Sequence, residues 1–484
     1  MNAAGTAGSA AAAAAATESH ALDDGAEILR ADVGIVGAGP GGMACAAKLA
    51  RAGLRVVVLD EGNRAGGQIF RQLPPGMQSN GVLQEAPSHD HGHELIDGFE
   101  QANLTYVSGA TVWDVQPRRL WFEHEGRSRL LQCPHIVLAP GAYDRCVPFP
   151  GWTLPGVMTA GALQVMVRGF GVSPGKRALV CGSGPLLLPT VTSLLSAGVE
   201  VVAALEASSR WRALRAVPGV AFNAARRKEA GWYMKQLLKA RVGLKWGWTV
   251  FACEGDGKVE RAVIGKVDSS GRPRPGTERT IDVDVVGAGF GLVPSVELGL
   301  RLGARSHFLA ARGGHCLVVD DEQRTSVPNV FAVGEICGIG GAECASAEGS
   351  LAAAAILREV RGQSVPPDLQ RTVKRERSAS DTMLGAFAPL PGIAELARPD
   401  TIVCRCEDVS QLRAQQAAEI HGDSLRGIKM GCRAGMGPCQ ARICGPALQA
   451  MATGDGSRQM DLPVVQVPLK PVRSETILNA PTAT

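Results

Sequence analysis

Residues 31 to 61 read ADVGIVGAGPGGMACAAKLARAGLRVVVLDE, and the order of their parts decides the fold. A short apolar strand, DVGIV, runs into Gly37-Ala38-Gly39-Pro40-Gly41-Gly42, followed by an alanine-rich helix to about Arg51 and the strand RVVVLD. Gly37 permits the tight turn, Gly39 lets the backbone approach a pyrophosphate, and Gly42 lets the helix pack on the strand. The helix N-terminus supplies unpaired N–H groups and a positive dipole end for phosphates. Asp60 ends the second strand, where a carboxylate can accept hydrogen bonds from both ribose hydroxyls; Glu61 is the alternative. Glycine-rich turns alone are common, but strand, glycines, helix, strand and acid in this order specify a dinucleotide-binding unit.

The rest of the chain sets limits. At 484 residues it should split into about three domains of ~150 residues. A formal net charge of +4, from 50 basic and 46 acidic residues, argues against nucleic acid or an anionic membrane as partner. Residues 1–30 are dominated by Ala, Gly, Ser and Thr, and the first Lys or Arg is Arg30, so they read as a disordered leader rather than a secretory signal. No stretch of about 18 apolar residues is free of charges and glycines, so no transmembrane helix is expected. The thirteen cysteines are scattered apart from the last five, which suits a reducing cytoplasm.

Two further stretches separate FAD from NAD at the first unit. GNRAGGQIFR (62–71) places Gly66, Gly67 and Gln68 just after the acidic strand end. TSVPNVFAVGEICGIGGAECASAEG (325–349) resembles the second FAD fingerprint of glutathione-reductase-like flavoproteins, a strand ending in Gly-Asp near the ribityl chain and pyrophosphate. Here the pair is Gly334-Glu335, a longer acid than that superfamily's. The linking stretch HIVLAPGAYDR (135–145) resembles the same superfamily's strand and glycine turn, with Gly141 near the cofactor.

Residues 177–206, RALVCGSGPLLLPTVTSLLSAGVEVVAALE, repeat the plan with a defect. Gly182 and Gly184 hold the first two glycine positions, but Leu187 occupies the third, which pushes the helix off the strand or demands repacking. Glu206 closes the second strand and favours NAD over NADP, while Arg210 and Arg212 leave that choice open. The FAD-binding domain, 31–147 and 286–362, is thus interrupted by a second nucleotide-binding domain at 148–285. That domain could bind NAD, bind another adenine nucleotide, or be a structural relic. Neither unit contains the Cys-x-x-Cys or Cys-x4-Cys pair through which the disulfide reductases of this fold pass electrons to a thiol. Cys337 and Cys344 flank the second fingerprint and read as packing residues.

After a linker at 363–400, the chain continues TIVCRCEDVSQLRAQQAAEIHGDSLRGIKMGCRAGMGPCQARICGPAL. Cys404 and Cys406 form a Cys-x-Cys pair and Cys439 and Cys444 a Cys-x4-Cys pair, 32 residues apart. Four thiolates suit zinc or an iron–sulfur cluster, and Cys-x-Cys is too tight for the common zinc knuckle. Between the pairs lie an amphipathic helix, a short second helix and a glycine-rich loop whose N–H groups can point at sulfur. Cys432 falls outside both pairs and reads as a helix-packing residue. The alternating His89, His91 and His93 read as part of a solvated polar loop rather than a metal site.

The segment 401–455 resembles the bacterioferritin-associated ferredoxin-like [2Fe–2S] domain, with an extended tail at 456–484. The fold class is therefore α/β, a glutathione-reductase-like flavoprotein with two dinucleotide-binding domains plus a small helical [2Fe–2S] domain. FAD fold, defective second site and GMGPCQARICG together resemble the alpha subunits of bacterial opine oxidases, hydroxyproline and proline dehydrogenases and hydrogen cyanide synthase. The resemblance implies an electron-transfer subunit carrying FAD and [2Fe–2S]. Its partners would be a flavoprotein subunit of the amino-acid-oxidase type and, in some complexes, a small ferredoxin-like one. The cysteine usage points to a cytoplasmic protein, with membrane association through electron acceptors left open. No His–Asp or Cys–His constellation for amine oxidation is present in this chain, so no catalytic residue is expected. Two other functions remain open, a stand-alone NAD(P)H:acceptor reductase and an iron- or cluster-handling protein.

Overall fold

The computed structural model describes residues 27–73, 86–221, 223–453 and 465–481. Two parallel five-stranded sheets organise it. The first runs in the order Val330–Ala332, His135–Leu138, Val33–Val36, Val56–Asp60, Thr105–Ser108. Its central strands are continuous apolar runs because both faces are covered. On one face, helix Pro40–Arg51 buries Met43, Cys45, Ala46 and Leu49 together with helix Ala342–Arg361. On the other, Leu59, Ile136 and Leu138 pack against Val112, Leu120, Phe122 and Leu131. These come from an antiparallel sheet of Thr111–Gln116, Arg119–His124 and Arg127–Gln132. Strand Ile28–Arg30 joins that sheet parallel to Arg127–Gln132, so the end of the expected leader is structured; residues 1–26 lie outside the described residues.

The second sheet runs Val157–Thr159, Val285–Gly289, Arg177–Gly182, Glu200–Glu206, Leu244–Trp246, all parallel. Strand Val285–Gly289 pairs with both of its neighbours there, so the interrupting unit extends past the boundary at 285. The two crossings between the units, Ala142–Asp144 and Leu292–Pro294, are zipped together as an antiparallel pair.

Two further stretches differ from expectation. The supposed linker contains the 20-residue helix Pro367–Ala386, and beyond it Leu390, Ile393 and Leu396 are buried in the second unit's core. The histidines sit on helix Ser88–Glu100, not in a loop; the His89 ring meets Phe70 edge-on at 5.9 Å, and His91 lies 3.8 Å from Glu94. The cysteine-bearing segment forms helices Gln411–His421, Leu425–Cys432 and Gly445–Thr453 around a small core of Val403, Val409, Ala414, Ile428 and Leu448. Of the tail, residues 465–481 are described and include the short helix Ser474–Leu478.

Candidate functional site

The first glycine turn is built so that backbone, not side chains, faces the space beyond it. Gly37 has φ +100°, and a Cβ there would lie 2.1 Å from the Ala139 carbonyl oxygen. A Cβ on Gly42 would lie 1.9 Å from the Gly37 carbonyl oxygen, so the helix rests directly on the turn. Gly39 differs: a Cβ there would meet nothing nearer than the Gly67 Cα at 4.0 Å. A Cβ on Gly67 would lie 2.8 Å from the Gly39 Cα, so the two glycines pack backbone to backbone and leave a backbone-lined cradle at the start of a 12-residue helix. Those are the features that suit an anionic pyrophosphate. Gln68 lies beside it and accepts a hydrogen bond from Arg71 Nε at 3.1 Å.

The second fingerprint meets the first on one helix turn. A Cβ on Gly41 would lie 3.1 Å from the Ala345 carbonyl oxygen, and one on Gly334 (φ +75°) 3.3 Å from the Ala345 Cβ. Gly141 (φ +74°) and Gly341 (φ +84°) each look onto open space, with nothing within 4 Å of an added Cβ. Gly41 and Gly334, from the two segments of the first unit, thus meet at Ala345.

The acids behave differently from expectation. Asp60 accepts the N–H groups of Ala38 (2.5 Å) and Gly62 (2.7 Å). Glu206 accepts those of Gly184 (2.9 Å) and Ser208 (2.8 Å), and Glu335 those of Gly340 (2.8 Å) and Gly341 (3.0 Å). Each carboxylate braces its own turn. Burial raises all three pKa values, although the N–H donors pull them back. Glu61 is exposed and pairs with Lys470 at 2.9 Å.

In the second unit Gly182 (φ +145°) and Gly184 (φ +106°) form the turn, but little else suits a nucleotide. Leu187 is buried in a core with Leu163, Val180 and Val191, and its Cδ2 lies 3.4 Å from the Cβ position of Gly289. The room that a third glycine would leave is supplied by this glycine of a neighbouring strand. Phe387 stands in front of the turn, its Cβ 3.6 Å from the Cβ position of Gly184, and Arg212 donates to the Ala388 carbonyl at 3.1 Å.

The four paired cysteines are brought together. Cys406 Sγ and Cys439 Sγ lie 3.8 Å apart, and the Cys444 thiol hydrogen-bonds both Cys404 and Cys439. Donation from Cys444, with backbone N–H groups of Gly435, Glu407 and Cys406, lowers Cys404 to about 6. Donation from Cys444, with the N–H groups of Ile443 and Ala441, lowers Cys439 to about 5. The same hydrogen bonds to Cys404 and Cys439, with burial, raise the Cys444 thiol. Asp408, Arg433, Gln440 and Ala441 all have positive φ, as does Gly435, and such turns aim N–H groups into anion-holding concavities. A Cβ on Gly437 would lie 2.1 Å from the Cys406 Cβ, so the loop closes tightly over the sulfurs. Among the described residues, no three His, Cys, Asp or Glu side chains gather as one metal ion would need. Cys432 stays apart, buried and donating to the Ile428 carbonyl at 3.1 Å.

The thiol loop is docked on both units, through Glu297 of the first and Trp152 of the second. Cys439 lies within electrostatic reach of Tyr143 and Cys146, just beyond Gly141. Arg442 pairs with Glu297 at 2.8 Å and donates to the Leu469 carbonyl at 2.7 Å. Trp152 donates to the Ile402 carbonyl at 2.6 Å beneath the Arg405 guanidinium, 5.3 Å from its ring. Sequence reasoning missed Arg442 and Phe387, since each acts on an element remote in sequence.

The sequence model of the pyridine nucleotide-disulphide oxidoreductase family matches residues 31–349. The A subunit of opine oxidase from Agrobacterium tumefaciens (strain Ach5) is 29% identical over 474 residues, covering 93% of this chain and 92% of that one. Hydrogen cyanide synthase subunit HcnB of Pseudomonas aeruginosa is 32% identical over 425 residues, covering 85% and 90%. Among solved structures, L-proline dehydrogenase from P. horikoshii superposes with a TM-score of 0.67 at 20% identity, covering 93% of this chain and 80% of that one. Among the described residues, no helix is long and apolar enough to cross a membrane.

Proposed function

Since the chain belongs to the pyridine nucleotide-disulphide oxidoreductase family, and within it groups with HcnB and the A subunit of opine oxidase, we propose that it is the electron-transfer subunit of a hetero-oligomeric amine or amino-acid dehydrogenase, holding FAD and a [2Fe–2S] cluster. The observation that carries this reading is the docking of the thiol loop: Arg442, three residues from Cys439, pairs with Glu297 of the first unit at 2.8 Å, and Cys439 is within electrostatic reach of Tyr143, two residues from the open Gly141 turn. One redox centre would thus adjoin the other. Gly37, Gly39, Gly42, Gly67 and Gly334 would cradle the pyrophosphate, Glu61 would face the ribose, and Gly141 would border the flavin. Bound FAD supplies the chemistry that accepts electron pairs and releases single electrons.

Cys404, Cys406, Cys439 and Cys444 would hold the cluster. Cys406 and Cys439 touch, and Cys444 hydrogen-bonds Cys404 and Cys439, which supports a site wider than one metal ion; Cys₄ ligation is the usual set for two irons. The backbone N–H groups aimed at Cys404 and Cys439 would stabilise thiolate and sulfide charge. The names of the relatives, opine oxidase and L-proline dehydrogenase, support a CH–NH substrate, and the word subunit in two of them supports assembly. We take the amine to be oxidised on an amino-acid-oxidase-like flavoprotein subunit, with a small ferredoxin-like protein as a further partner. The thirteen free cysteines accord with the reducing cytoplasm.

Anaerobic purification with quantitation of flavin and metal tests the assignment. Serine at any of the four paired positions should remove two irons and the broad visible absorption, while Cys432→Ser keeps both. Zinc in place of iron would overturn the cluster, and equal loss in all five variants would show the wrong ligand set.

A further inference from the structure

Helix Pro367–Ala386 lies between the two nucleotide-binding units and carries a buried polar network from one to the other. Arg226 of the second unit pairs with Glu376 at 3.3 Å and donates to Ser380 Oγ at 3.2 Å. Ser380 in turn donates to the Gly340 carbonyl at 2.6 Å. One turn earlier, Arg377 donates to the carbonyls of Gly338 (2.7 Å) and Ile339 (3.3 Å) and pairs with Glu348 at 2.5 Å. The other oxygen of Glu348 accepts the Gly334 N–H at 2.8 Å. All of it is out of water: the side chains of Arg226, Glu376, Glu348 and Arg377 are 8%, 7%, 3% and 13% exposed.

We propose that Arg377 and Ser380 are positioning residues for the loop Gly338–Gly341, braced against Arg226, and that the second unit serves the first as an abutment; this rests on the reading that the first unit holds FAD. Gly334, Gly338 and Gly341 have φ of +75°, +106° and +84°. Glycines in such a loop have no side chains to fix them and lose the most conformational freedom on ordering. Here their polar groups are held from outside. Glu335 accepts the N–H groups of Gly340 and Gly341, Glu348 that of Gly334, and Arg377 and Ser380 donate to the carbonyls. The fit is close, since a Cβ on Gly340 would lie 2.8 Å from Arg377 Nη1. Stability alone does not explain the network, because apolar side chains of similar volume hold a fold as well as a buried ion pair does. What ions and hydrogen bonds add is one fixed geometry. The geometry fixed is that of Gly334 and Gly341, which border the cradle.

The experiment compares wild type, Ser380→Ala, Arg377→Lys and Arg226→Met. It measures FAD dissociation by flavin fluorescence and amide hydrogen exchange by mass spectrometry. Lysine keeps the charge opposite Glu348 but cannot fork to two carbonyls. All three variants should therefore weaken FAD binding by roughly two- to thirtyfold, the range for residues coupled through a packed network. Exchange should rise across residues 333–345 while helix Leu187–Ser196 of the second unit stays protected. Ser380→Ala removes a single hydroxyl, so it carries the test should Arg226→Met fail to fold. FAD binding within twofold of wild type in Ser380→Ala and Arg377→Lys, with unchanged exchange at 333–345, would overturn the inference and leave the flavin reading standing. A wild-type chain that takes up no FAD would remove both.

Discussion

Two glycines of the first turn make opposite demands. Gly39 has φ −75°, a value open to any residue, and a Cβ there would only just touch the Gly67 Cα at 4.0 Å. Gly39→Ala should leave the apoprotein's stability within ~0.5 kcal/mol, as a substitution that displaces nothing does. It should nevertheless cost the yellow colour, because the methyl group points where pyrophosphate must lie. Gly42→Ala drives its methyl group into the Gly37 carbonyl oxygen at 1.9 Å and should destabilise the fold itself by about 3 kcal/mol or more. Urea denaturation and flavin absorbance, measured on both variants, separate the two roles; a yellow Gly39→Ala protein would mean the cradle lies elsewhere. These roles were legible in the sequence because a glycine's reason is local, set by the backbone on either side. The partners of Asp60, Glu206 and Glu335 were not. Each stands at the expected strand end yet turns onto N–H groups of its own loop, a choice made only once the turn exists.

At the scale of elements, helix Pro367–Ala386 was illegible for a physical reason. Its inward face carries Glu376, Arg377 and Ser380, which are satisfied by ions and carbonyls of other elements, so the apolar period that announces a packed helix is missing. The defect at Leu187 was legible, and its remedy, Gly289 on an adjacent strand, was not. Together these two elements argue against a nucleotide at the second turn. The second turn faces Phe387, its acid is consumed by Gly184 and Ser208, and Leu187 fills the third glycine position. A dinucleotide reaching this turn would have to displace the end of the helix. Neither NADH nor NADPH should therefore reduce the flavin at a rate fit for turnover. Stopped-flow mixing under anaerobic conditions reads this directly, and rapid bleaching by either nucleotide would show the second unit to be a working site.

At the scale of the whole molecule, the distant end of the chain ties the thiol segment to the first unit. Leu469 is buried, and its N–H donates to the Trp113 carbonyl at 2.7 Å. From the other side, Gln440 donates to the Pro468 carbonyl at 2.6 Å and Arg442 to that of Leu469. Lys470 then reaches Glu61, and Thr476 donates to Glu123 at 2.8 Å. Residues 465–481 thus touch the thiol loop and the first unit at once. Periodicity could not reveal this, since the segment's regular structure is limited to one five-residue helix. Ending the chain before Val465 removes this clamp and leaves all four paired cysteines, along with the Trp152 and Glu297 contacts. The truncated protein should still take up flavin and two irons. With the thiol segment held by fewer contacts, fixed docking gives way to tethered encounter, and electron exchange between flavin and cluster should slow by about tenfold or more. Flash reduction of the flavin followed by rapid-freeze electron paramagnetic resonance measures that step without substrate. Leu469→Asp, which leaves the chain at full length, should slow it in the same direction. An unchanged rate in both would mean that the contacts of Trp152 and Glu297 suffice to hold the two centres together.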